Sequence, residues 1–189
     1  MTYYKCLDAD GKSCHGGKKI AWPMPSHGRP GKWLPALNGK PALCDHGYHF
    51  CRDEQVLSWL SPMLCEVEVE RETEIIVGDD KCVTVGHMRI VRVFRRWDER
   101  TARLFACNCA ERALKQERKA GRELDARSWE AIRVSRRFAS GKATAEELAA
   151  ARYAARYAAW AAARDAACNA ERRWQYKRLL KYLNGEAKP

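Results

Sequence analysis

The sequence predicts an α+β protein. A small, mainly antiparallel sheet domain is expected over residues 1–95, followed by a basic, alanine-rich helical bundle over residues 96–189. Three observations carry this expectation. In the first half apolar and polar residues alternate, as in Cys65, Val67 and Val69 against Glu66, Glu68 and Glu70, which is the period of a half-buried strand. From Trp97 onward the periodicity is helical. Between Ala151 and Ala170 a four-residue unit repeats as ARYA-ARYA-AWAA-ARDA-ACNA, and its alanines recur at i, i+3, i+4 and i+7 on one helix face.

Each element has its own local signal. YYKCL (3–7) reads as the first strand. A stretch rich in glycine and proline, from Gly11 to Gly39, reads as loop with a short strand near Lys32–Leu34. Asp53 is expected to cap a short helix at 54–60, closed by Pro62. Strands are expected at 64–72, 74–77, 82–86 and 88–94, with a turn at Gly78-Asp79-Asp80. In the second half, helices are expected at about 98–119, ended by Gly121, and at about 125–139. A third should begin at Thr144, where Thr144 and Glu147 match a capping box, and run to about Leu183, with a break near Asn169 as an alternative.

The repeat also predicts how its helix packs. Four residues per unit exceed the 3.6 of a helix turn, so the methyl stripe drifts by about 40° per unit. A straight partner helix would lose it within about two turns, which favours a compact bundle over a long two-stranded coil. The stripe could be covered within one chain or in a homodimer. A face of methyl groups offers no chemistry, whereas the interleaved Arg, Tyr and Trp positions are free to face outward.

Charge separates the halves. Residues 1–95 carry 13 Lys/Arg and 12 Asp/Glu, a net of +1, whereas residues 96–189 carry 22 and 12, a net of +10. This concentration of positive charge favours an anionic partner: an acidic protein surface, a nucleoprotein or nucleic acid itself. No apolar run approaches the ~18 residues of a membrane span, and MTYYKCLDADGK lacks a signal-peptide core. A cytoplasmic protein of the host cell is therefore expected. Nine cysteines, an odd count, argue for reduced, mostly buried thiols rather than a disulfide framework.

Several clusters offer chemistry. Cys14, Cys44, His49 and Cys51 are the candidate zinc ligands, although Cys44 and Cys51 are too far apart for a short knuckle. The alternative is buried thiols around a hydrogen-bonded histidine. His49 and Cys51 also share a strand face but lack an orienting third group for nucleophilic catalysis. Trp22, Trp33, Pro23 and Pro25 are expected to order the loop or form a ligand platform. On the long helix Tyr153, Tyr157 and Trp160 recur beside Arg152, Arg156 and Arg164, a pattern that can hold acidic partners or stack bases. The alternative is that the aromatics pack inward while arginine stems cover the helix.

Three resemblances add to this. The residues Trp97, Arg100, Leu104, Phe105, Cys107, Cys109, Arg112, Arg137, Gly141, Glu146, Glu147 and Leu148 resemble those of alanine-rich helical immunity proteins of toxin–immunity loci. Tyr4-Lys5, Cys14 and Leu43-Cys44-Asp45-His46-Gly47-Tyr48-His49-Phe50-Cys51 resemble an uncharacterised phage and prophage domain. Together these imply a mobile-element origin and a role in genetic conflict. Gly47-Tyr48-His49-Phe50 is also similar to the NAD-facing strand of ADP-ribosyltransferases, which would imply NAD as cofactor and one of Glu66, Glu68 and Glu70 as catalytic acid; Tyr3-Tyr4-Lys5 departs from that family's first-strand Arg or His.

The resulting expectation is a non-catalytic phage or mobile-element protein that binds and inhibits a toxin, a defence effector or a nucleoprotein complex, in the manner of an immunity or anti-CRISPR-like factor. Its contacts are expected at Arg152, Arg156, Tyr157, Trp160 and Arg164, with Arg133, Arg136 and Arg137 as a second basic patch. The alternatives are a direct nucleic-acid binder and an NAD-dependent ADP-ribosyltransferase-like enzyme.

Overall fold

A computed structural model describes residues 2–14, 19–122, 125–151 and 169–187. The fold is α+β, and the chain divides into two compact units, Met1–Trp97 and Asp98–Pro189.

The first unit is built on a six-stranded antiparallel sheet. Its strands are β1 (Tyr3–Leu7), β2 (Tyr48–Arg52), β3 (Met63–Val69), β4 (Ile76–Val77), β5 (Cys82–Thr84) and β6 (Met88–Val93), in the spatial order β4-β5-β2-β1-β3-β6. β1 is central because both its faces are apolar enough to bury: Tyr4, Cys6 and Leu7 are all inside. Its five residues all pair with β3, from Tyr3 opposite Val67 to Leu7 opposite Met63. On its other side only Tyr3 and Tyr4 pair, with Arg52 and Cys51. β1 and β2 therefore part after two residue pairs.

One face holds the main core of Leu7, Trp22, Leu34, Tyr48, Phe50, Cys65, Val67, Cys82, Met88 and Ile90. The glycine- and proline-rich stretch does not form the expected short strand near Lys32–Leu34. It runs irregularly beside β6, with Gly31 N donating to Ile90 O at 2.8 Å, Leu34 N to Met88 O at 2.7 Å and Leu37 N to Val85 O at 2.7 Å. Pro30 and Pro35 supply no amide, so a regular ladder cannot form, yet the β6 edge is still covered. Gly31 fits because a Cβ there would lie 2.0 Å from the Pro23 carbonyl oxygen.

The helix expected at 54–60 is instead a 3-10 helix at Asp53–Ser58, and Asp53 lies inside it at φ 45° rather than capping it. The start is fastened by the Arg52 amide donating to Gln55 Oε1 at 3.0 Å. Gln55 then donates to the Gly78 carbonyl at 2.7 Å, which ties the helix to the turn before β5. The third strand stops at Val69 rather than residue 72, and β4 has only two residues.

In the second unit the described helices include α1 (Glu99–Lys119), α2 (Ala126–Ala139) and α3 (Asn169–Asn184). Asp98 caps α1 by accepting from the Thr101 amide at 2.7 Å, and Asp125 caps α2 by accepting from the Arg127 amide at 2.9 Å. After α1 and α2 the glycine amide donates back to the helix, Gly121 to Arg118 O and Gly141 to Phe138 O, both at positive φ. The expected capping box is present: Thr144 N donates to Glu147 Oε2 at 2.6 Å, and Glu147 N to Thr144 Oγ1 at 3.2 Å. Residues 145–151 continue as helix. Most of the alanine repeat lies outside the described residues. Among the described residues no helix is long and apolar enough to cross a membrane.

Cys107, Leu114 and Ile132 form the core between α1 and α2, with Ala110 and Trp129 packed against it. Phe105 meets Tyr182 of α3 edge-on at 6.1 Å.

Candidate functional site

Two concave features stand out, one in each unit. In the sheet unit, the parting of β1 from β2 opens a cavity of about 440 Å³. Residues from β1 and β2 line it together with Ser13, Cys14, Ile20 and Trp22, and Trp59 and Lys81 lie at its wall. Lys5 crosses the gap where the ladder has stopped: its Nζ donates to the His49 carbonyl at 2.6 Å and lies 5.2 Å from the Trp22 ring centre. Burial pulls the Lys5 pKa below the ordinary lysine value, against the opposing influence of Cys6, Cys51, Cys14 and Cys65.

The Leu-Cys-x-x-Gly-aromatic-His-x-Cys motif is explained by this neighbourhood, and the explanation is architectural. Ala42 N donates to His46 O at 2.8 Å and His46 N to Ala42 O at 3.0 Å, closing a tight turn. Cys44 takes positive φ in it, and its amide donates to His49 Nε2 at 3.0 Å. Gly47 then enters β2 at φ 123°, where a Cβ would lie 2.7 Å from the Thr84 carbonyl oxygen. Tyr48 is buried, and its hydroxyl donates to Pro35 O at 2.8 Å. Phe50 and Cys51 are buried next to it.

Cys14, Cys44, His49 and Cys51, the residues of the zinc alternative, all line this cavity. Among the described residues no three His, Cys, Asp or Glu side chains are placed to hold a metal ion. His49 has already given its Nε2 lone pair to the Cys44 amide. Cys44 is exposed on the turn whereas Cys51 is buried in β2. Desolvation pushes the Cys51 thiol up to about 12 and Cys65 likewise to about 12, which leaves them protonated and poorly nucleophilic.

The candidate acids of the NAD reading lie elsewhere. Glu66 and Glu68 are in β3, separated from β2 by β1, and they bind Arg92 and Arg89 respectively. Glu70 is exposed just past the end of β3. Asp45 is the one acid among the described residues lining the cavity. The two tryptophans of the expected platform are also split. Trp22 is a cavity wall, its Nε1 donating to Ser13 Oγ at 3.2 Å, whereas Trp33 is 40% exposed with the Arg89 guanidinium 4.3 Å above its ring.

In the helical unit a groove of about 660 Å³ is lined by residues of α1, α2 and α3. Trp129 and Trp174 form its apolar part, and Arg112, Lys115, Arg118 and Lys119 supply positive charge. Arg112 is fixed in place: its Nε donates to Glu171 Oε2 at 2.8 Å and its guanidinium stacks 4.4 Å over the Trp174 ring. Lys115 pairs with Glu111 at 2.6 Å, whereas Arg118 and Lys119 are exposed at the C-terminal end of α1.

The second basic patch is differently disposed from a free cationic surface. Arg133 pairs with Glu130 on its own helix. Arg136 turns toward α1, where it binds Asn108 Oδ1 at 2.8 Å and the Glu111 carboxylate. Lys115 and then Arg136 hold the Glu111 carboxyl below the usual carboxylate range. Arg137 donates to the Lys142 carbonyl at 2.9 Å and pairs with Glu147 at 3.5 Å. Arg152, Arg156, Tyr157, Trp160 and Arg164, the other expected contacts, lie outside the described residues. The Trp129–Trp174 groove escaped sequence reading because its tryptophans are 45 positions apart, on α2 and α3.

No family model, curated protein or solved structure matches this chain. The class is therefore defined by the fold: a two-unit α+β protein with a split sheet and a basic helical unit.

Proposed function

We propose that this protein is a binding inhibitor whose helical unit captures an acidic surface of a protein partner and blocks it sterically, as an immunity or counter-defence factor of a phage or other mobile element. The observation that carries this reading is the groove lined by α1, α2 and α3, where Trp129 and Trp174 lie beside Arg112, Lys115, Arg118 and Lys119, with Glu111 the acid among the described lining residues. Tryptophan and arginine are the residues most enriched at energetic centres of interfaces. Positive charge around them speeds encounter with an acidic partner and rejects a basic one. The net charge of +10 on residues 96–189 acts in the same direction. Residues Arg152, Arg156, Tyr157, Trp160 and Arg164 extend the same basic and aromatic character along the sequence. The mobile-element setting rests on the two sequence resemblances.

The test is affinity purification from the host cell with nuclease treatment, followed by measurement of binding to the partner so identified. The double variant Arg118→Glu, Lys119→Glu and the variant Arg152→Glu, Arg156→Glu are each expected to weaken binding by an order of magnitude or more. Retained affinity in both variants would overturn the reading. Loss of the complex on nuclease treatment, with random-sequence nucleic acid binding that falls steeply as salt rises, would assign the basic unit to nucleic acid instead.

A further inference from the structure

We propose that the cavity where β1 and β2 part is a ligand site for a small carbonyl compound bearing an acid group, held as an imine on Lys5. The cavity, about 440 Å³, falls in the size range of pockets that enclose small metabolites. Its walls include the aromatic faces of Trp22, Tyr48 and Phe50, and Trp22 meets Tyr48 edge-on at 5.9 Å.

Lys5 is an unusual occupant of such a wall. Its Nζ makes one hydrogen bond, to the His49 carbonyl, and faces the Trp22 ring; among the described residues no carboxylate pairs with it. A lysine taken out of water is ordinarily paired with an acid. This one is surrounded by Cys6, Cys14, Cys51 and Cys65, with the Lys81 ammonium also at the cavity wall. Burial favours its neutral form, which is the form with a lone pair to share. The thiols around it do not compete, because burial keeps them protonated: it pushes Cys51 up to about 12 and Cys6 higher still.

The chemistry balances with groups at hand. The neutral Lys5 Nζ attacks the carbonyl carbon, both amine protons leave with the carbonyl oxygen as water, and a C=N bond remains. Proton uptake from solvent gives an iminium whose single N–H can keep the hydrogen bond to the His49 carbonyl. The acid group is set by Lys81, which lines the same cavity. Lys81 lies 4.5 Å from the Trp59 ring centre and pairs with Asp80 only at 3.9 Å, so a ligand carboxylate can compete for it.

The experiment is reductive trapping on the intact wild-type protein. Glyoxylate and sodium cyanoborohydride are added at neutral pH for short times, and modified lysines are located by peptide mass spectrometry. Lys5 is expected to be carboxymethylated about tenfold or more faster than the exposed Lys12, Lys32 and Lys40, the advantage of a lysine whose neutral form is more populated. Because the comparison is internal to one molecule, it does not depend on a variant folding. Propanal should label Lys5 more slowly than glyoxylate does, and Lys81→Met should erase that difference. If Lys5 reacts no faster than the exposed lysines, the proposal fails; if propanal matches glyoxylate on the wild-type protein, the acid-bearing class is wrong. Neither result depends on partner capture by the helical unit.

Discussion

The Cys44 amide donates to His49 Nε2 at 3.0 Å, and this one bond ties the turn at 42–46 to the start of β2. It requires the His49 ring to be neutral at Nε2. Burial is the main cause that holds the His49 pKa below the ordinary histidine value, and the Lys5 and Lys81 charges add to it.

A pH dependence follows. The unfolded chain takes up the His49 proton near pH 6.5, before the native protein does. The contribution of His49 to stability is therefore full above about pH 6.5, declines as pH falls toward the lower native value, and levels off below it. Thermal unfolding midpoints measured from pH 7.5 to 5 should fall more for the wild type than for His49→Gln, whose amide oxygen can accept the same bond without titrating. His49→Ala, which leaves the Cys44 amide to solvent, should cost about 1 kcal/mol at neutral pH. An identical slope in wild type and His49→Gln would place the acid sensitivity on another group.

Gly47 is the position in the motif least able to change. Its φ of 123° is unfavourable for any side chain, and a Cβ would meet the Thr84 carbonyl oxygen at 2.7 Å. Gly47→Ala should destabilise the sheet unit by about 2–4 kcal/mol through combined strain and displacement of β5. Denaturant unfolding of the variant measures this, and a loss below about 0.5 kcal/mol would mean that β2 enters the sheet along another path.

Thiol reactivity should sort by depth. Cys44 is exposed, whereas Cys6, Cys51, Cys65, Cys82 and Cys107 are buried, and burial raises the pKa of each buried thiol. Timed iodoacetamide labelling with peptide mapping should modify Cys44 first, with the buried five reacting by at least an order of magnitude more slowly. Chelators should leave the unfolding midpoint unchanged. Fast alkylation of Cys51 would contradict the buried, protonated state assigned to it.

The sheet was legible where one strand face is buried and the other wet. Val67 and Glu68 alternate along β3 as the sequence suggests, and Glu66 and Glu68 meet Arg92 and Arg89 across the ladder. The helix end at Gly121 was legible too, because capping chemistry is local. What escaped was non-local. Nothing in YYKCL announces that β1 leaves β2 after two pairs, because Ser13 and Trp22, which line the gap, lie outside both strands. Likewise Arg136 read as free charge because its acid, Glu111, comes from another helix. Cys14, Cys44 and Cys51 suggested a metal only while the acceptor role of His49 was hidden in a turn.

Glu171 is the acid that holds α1 to α3, and it gives the sharpest test of how the helical unit is held together. It is 7% exposed. Its Oε2 accepts from Arg112 Nε at 2.8 Å and from Gln116 Nε2 at 3.1 Å. Arg112 in turn stacks on Trp174, one turn further along α3. Removing the carboxylate leaves a part-buried guanidinium and an amide without their acceptor, so Glu171→Ala should cost about 3 kcal/mol. Glu171→Gln keeps an acceptor oxygen but loses the charge, and should cost about half as much. A double-mutant cycle with Arg112→Ala, read by loss of helical circular dichroism in denaturant, should give a coupling of about 1–2 kcal/mol. A coupling below about 0.5 kcal/mol would make this an ordinary surface pair. The packing of Arg112 on Trp174, rather than its charge on Glu171, would then be what fixes the wall of the groove.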